Sequence, residues 1–190
     1  MYIVGPYLFT GDELDAYLKD RKAAAVEAAR AEKATVGGAQ SGADIVRAVY
    51  DQYAIPDTQM HVDRATFVEE RPLNDEECAA IAVGDEDKDS YKLVTIAVPY
   101  SGDSHLFTCR PTIYSANQPQ AEVKDDALCI TWFLAEVEEF QLENNFKRTI
   151  ALIERTLEVT QWQAMGCNQE MMEALKSEVM GGAESPPQRS

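Results

Sequence analysis

The chain has little of what most catalytic centres are built from. It carries two histidines in 190 residues. His61 and His105 are far apart in sequence, and a lone histidine needs oriented partners before it can move protons. His105 does have Ser101, Asp103 and Ser104 nearby, so a Ser/His/Asp set can be written down. Its members are too close in sequence for the usual triad, in which the orienting carboxylate arrives from another element. There is no GxSxG nucleophile elbow and no glycine-rich phosphate loop. Cys78, Cys109, Cys129 and Cys167 form no CxxC pair, so no zinc site or thioredoxin-like motif is indicated. Buried, reduced thiols are expected instead. The acidic loop 84–90 lacks EF-hand spacing. Glu136, Glu138, Glu139 and Glu143 read as a solvated first helical turn with favourable dipole charge. No metal or cofactor is expected. A restriction-type nuclease core needs an acidic residue ahead of a strand carrying a Glu-x-Lys triplet, and none of the strands predicted below is expected to carry one.

Basic residues are also scarce: 17 against 33 acidic ones, for a formal net charge of −16. Such a surface repels phosphate backbones and anionic membranes. Arg21-Lys22 and Lys147-Arg148 are isolated pairs, so direct nucleic-acid binding is not expected. The acidic excess has two readings: solubility, or attraction to a basic partner, including mimicry of DNA. No apolar run approaches the roughly 20 residues of a membrane span. The N-terminus MYIVGPYLFTGDELD lacks the basic start and apolar core of a signal peptide. A cytoplasmic protein is expected.

What is present describes one α+β domain, 1–182, followed by a disordered tail, 183–190. The 45% hydrophobic content suits an ordinary globular core. Residues 1–56 are predicted to form a helical hairpin. Thr10 and Glu13 suggest a capping box, and Phe9 and Leu14 a hydrophobic staple. The alanine-rich helix that follows ends at Gly37-Gly38. A second helix starts at Ser41 with Asp44 at the capping-box position, and Pro56 stops it.

Residues 57–135 are predicted to form a small antiparallel meander. An extended segment covers Thr58 to Pro72, and a short helix capped by Asn74 follows. Lys92 to Val98 reads as a central strand, apolar on both faces and ended by Pro99. Ser101-Gly102-Asp103 is the turn, and His105 to Arg110 the return strand. Glu122-Val123 turns at Lys124-Asp125-Asp126 into the apolar strand ALCITWFL.

Residues 136–182 are predicted to form a long amphipathic helix. Ile150, Ile153, Leu157, Thr160, Ala164, Cys167 and Met171 recur at spacings of three and four. Phe146, Trp162, Met165, Met172, Leu175 and Val179 widen that face. The breadth suits a helix crossing a sheet and another helix better than a free coiled coil. A bend is expected around 140–145 or at Gly166. Around the strand ends, Tyr100, Asp103, Arg110 and Tyr114 gather polar and aromatic groups that suit binding. Arg110 either pairs with Asp103 or holds an anionic ligand.

The run VPYSGDSHLFTCRPTIYSANQPQAEV, with the helix IALIERTLEVTQWQAMGCNQEMMEAL, resembles a loosely defined group of uncharacterised bacterial proteins. Its pattern is Val-Pro-Tyr-(Ser/Thr)-Gly-Asp, a later Arg-Pro-(Ser/Thr), and a long helix with Asn or Asp near Asn168. The resemblance covers about 94–180. In some relatives the region precedes a restriction-endonuclease-like domain. The resemblance therefore implies a non-catalytic protein-interaction or regulatory module of a bacterial defence or DNA-processing system. Its partner is another subunit, or a second copy met through the C-terminal helix. The alternatives are a small-molecule or nucleotide sensor and an acidic DNA-mimic inhibitor.

Overall fold

The structure is a computed structural model that describes residues 2–36, 41–80, 90–113 and 117–181. Two long apolar strands form its spine. β4 (Tyr91–Ser101) and β6 (Ala127–Ala135) pair antiparallel from Tyr91↔Ala135 to Pro99↔Ala127. β2 (Gln59–Met60) and β3 (Thr66–Pro72) pair with the outer edge of β4, and β1 (Tyr2–Val4) and β5 (Glu122–Val123) with that of β6. Residues 1–56 thus contribute a strand ahead of their two helices. β3 bulges between Phe67 and Glu69.

α1 (Leu14–Val36) and α2 (Gly42–Tyr53) form the predicted hairpin. The Ser41 hydroxyl accepts the Asp44 N–H at the start of α2. The capping box predicted for α1 does not form. The Leu8, Phe9 and Gly11 amides donate to Pro119, Phe107 and Thr108, Arg110 N–H donates to Asp12 O, and Leu14 N–H donates to Arg110 O. This ladder fixes residues 9–14 along 107–110, and the Thr10 hydroxyl donates backwards to Tyr7 O. Phe9, at φ +58°, and Leu14 are both fully buried.

Ahead of α3 (Asp75–Ala80), Asn74 and Glu77 cap each other reciprocally at 2.8 and 2.9 Å. The stretch 84–89, Gly37-Gly38 and the tail 183–190 lie outside the described residues. β4 continues through Pro99, whose carbonyl accepts the His61 N–H.

The predicted return strand His105–Arg110 is instead a helical turn, α4 (His105–Thr108). Leu106 and Phe107 are adjacent and both fully buried. A strand would send them to opposite faces, whereas a helical turn puts both against the core.

α5 (Leu142–Met180) follows a 3-10 segment, Glu136–Gln141, and runs through Gly166 without a break for 39 residues, about 58 Å. Its first half packs Ile150, Ile153 and Leu157 on Val94, Val98, Leu128, Ile130 and Trp132 of the sheet. Its second half packs Met171, Leu175 and Val179 on Ala25 and Ala29 of α1 and Ile45, Val46 and Val49 of α2. The seam needs its small members: Ala164 and Cys167 share the sheet-side core with Leu18. The opposite sheet face holds Leu73, Cys78, Leu93 and Phe133, with Phe133 stacked between Tyr2 and Tyr91.

Candidate functional site

The turn after β4 needs glycine. Gly102 has φ +101°, and a Cβ there would lie 2.4 Å from Asp57 O and 2.5 Å from Thr58 Oγ1. This close approach lets Asp103 N–H reach Thr58 Oγ1 at 2.7 Å. The Asp103 carboxylate, 9% exposed, then collects three donors. Tyr17 Oη of α1 donates at 2.5 Å, and the His105 N–H and Nδ1 both lie at 3.0 Å. The Tyr17 and His105 rings stack at 5.1 Å. Burial alone would raise the Asp103 pKa, but the bonds from Tyr17 and His105 outweigh it and hold the carboxyl below its ordinary value. Burial, then the bond to Asp103, raises the Tyr17 pKa and keeps the phenol protonated.

α5 supports the same knot. Asn168 accepts the Ile55 N–H and donates to the Ile55 carbonyl, each at 2.9 Å. Two turns earlier, the Gln161 side chain donates to Thr58 O. Asn168 therefore closes the backbone just past α2, where helix-end groups otherwise go unpaired. Its sequence signal is an Asn directly after Cys167 of the apolar seam.

The predicted site residues therefore separate. Tyr100 is a core side chain, 8% exposed, with its ring edge on Phe107 and its hydroxyl bonded to Lys124 O. Asp103 ties α1 to the turn. Arg110 pairs with Glu13 at 3.0 Å and not with Asp103, because its backbone is laddered to Asp12 and Leu14. Tyr114 lies outside the described residues. Beside Arg110 is a depression of about 310 Å³ lined by Glu13, Asp15, Pro111 and Thr112. Its two carboxylates oppose an anionic ligand on that guanidinium.

The Glu-x-Lys triplet Glu122-Val123-Lys124 begins on β5 but ends past it, with Lys124 in the turn. Glu122 and Lys124 are exposed and pair with each other at 3.2 Å. Among the described residues, no three His, Cys, Asp or Glu side chains are grouped to hold a metal.

One apolar surface feature lies on the outward face of α5. Trp162 is 69% exposed and Met165 55% exposed. Beside Trp162, a cleft of about 330 Å³ opens between α1 and α5. Leu18, Lys19 and Lys22 line one wall; Gln163, Gly166, Cys167 and Glu170 line the other. Lys22 is bonded to Glu170 at 2.6 Å. All four cysteines are buried free thiols. No described helix is long and apolar enough to cross a membrane. The chain matches no protein-family model, no curated protein and no solved structure.

Proposed function

We propose that this protein works by binding another protein and not by catalysis. The contact surface is the outward face of α5 around Trp162, with the adjoining cleft against α1. The observation that carries this reading is the exposure of Trp162 and Met165, three residues apart on one helix. An indole presents about 150–250 Å² to bury, and Trp and Met are enriched in interfaces over other surface. The helix beneath is rigid, held by Asn168, Gln161 and the buried seam. Another exposed apolar pair, Phe67 and Val68, sits at a bulge beside Glu69, Glu70 and Arg71. Bulges and charges of that kind blunt a sheet edge.

The resemblance of 94–180 supports a role as a regulatory component of a bacterial defence or DNA-processing system. The free thiols fit a reducing, cytoplasmic setting. The test is co-purification of tagged chain expressed at native level in its source cells. The wild type brings down a stoichiometric protein component, and Trp162→Ala loses it. Recovery of the wild type as a solitary monomer overturns the reading.

A further inference from the structure

The outward stripe of α5 is self-complementary. Arg155, Glu158, Trp162, Met165, Gly166, Gln169 and Glu173 are all exposed, at the three- and four-residue spacing of one helix face. Arg155, Glu158 and Glu173 carry no hydrogen bond or ion pair to any described residue. The midpoint between Trp162 and Gly166 is position 164. Arg155 lies nine residues before it (164 − 155) and Glu173 nine after it (173 − 164). Each charge is therefore about 13.5 Å from the centre along the axis.

The geometry points to a second copy of this chain as the occupant of that face, its α5 antiparallel to the first and related by a two-fold axis at position 164. This rests on the binding surface proposed above and names its partner. A two-fold interface requires one patch to match itself, and the stripe does so at two levels and avoids a clash at a third. Trp162 of each copy lies level with Gly166 of the other, over the cleft against α1. Arg155 of each lies level with Glu173 of the other, making two ion pairs of opposite sign. Glu158 comes level with Glu170, which Lys22 already neutralises at 2.6 Å, while Lys19 and Asp15 line the same cleft with opposite charges.

Gly166 gains a purpose in this arrangement. A mid-helix glycine is unfavourable, and nothing in the described fold requires this one: a Cβ there meets no atom within 4 Å. Against a second helix, the missing side chain makes the hollow an indole ring fills.

The test is sedimentation equilibrium of the purified full-length chain at physiological salt, which damps the long-range repulsion between two acidic copies. The expected species is a dimer, twice the 21.1 kDa chain. Trp162→Ala should raise its dissociation constant about tenfold or more. Gly166→Leu should also dissociate it, while the melting temperature of the single chain, compared with wild type at a concentration too low for the dimer, holds or rises, since the space is open there. Arg155→Glu and Glu173→Arg should each weaken the dimer, and the double variant should restore it. A chain still monomeric at about 100 μM overturns the inference, as does a dimer indifferent to Trp162→Ala or one that the double charge exchange leaves weakened. A monomer that nevertheless co-purifies with another protein through Trp162 overturns the second copy and leaves the binding surface standing.

Discussion

The phenol of Tyr17 donates to Asp103 Oδ2 across 2.5 Å, tying α1 to the turn that follows β4. His105 completes the clasp from the other side of the same carboxylate. Because these donors hold the Asp103 pKa below its ordinary value, their contribution is fully present above the unfolded carboxyl pKa, about 3.9. It is lost as pH falls through the lower folded value. Asp103→Asn should cost about 1–3 kcal/mol at pH 7. Denaturant titrations from neutral pH into acid should show the gap between wild type and variant closing as Asp103 protonates. A pH-independent gap would remove the ionised carboxylate from the clasp.

Gly102→Ala should be among the most damaging changes outside the core. It combines positive φ with a Cβ driven against the backbone at Asp57 and Thr58, for about 3 kcal/mol or more. Thermal unfolding measures this directly. A near-neutral result would mean that the turn relaxes without its contacts to Thr58.

Asn168→Leu keeps the helix but strips Ile55 of both partners for its backbone. Two buried groups left unpaired should cost about 2–6 kcal/mol, at roughly 1–3 for each. Hydrogen exchange should show the Ile55 amide losing protection before the centre of α5. Unchanged protection there would show that Asn168 is not the anchor.

The elements built on periodicity were legible from sequence. The α5 seam from Ile150 to Met171 is buried as its spacing predicted, because a rigid helix maps spacing directly onto a face. The β5–β6 hairpin and the Ser41 and Asn74 caps depend on local chemistry and were legible for the same reason. The His105–Arg110 stretch was not, because its carbonyls at Phe107, Thr108 and Arg110 and the Arg110 amide are claimed by residues 9–14, about a hundred positions away in sequence. Thr10 lost its cap to the same ladder. At the candidate site, the Gly102 turn was readable from PYSGD. The pairing of Asp103 with Tyr17 and of Arg110 with Glu13 was not, since no local pattern encodes a contact between α1 and residues 103–110. Trp162 was read into the broad apolar face of α5, and only the packing of α1 and the sheet shows that it points outward.

The most direct measurement is acrylamide quenching of Trp162 fluorescence. Trp132 is 1% exposed, and its Nε1 has no acceptor among the described residues. Trp132→Phe therefore leaves Trp162 as the only indole of the two. In the dilute purified chain Trp162 should quench freely, as an indole 69% exposed. In the assembled protein recovered from its source cells, the Stern–Volmer constant should fall severalfold as a partner covers the ring. A Trp162 that quenches equally well in both states would contradict the binding role assigned to this face of α5.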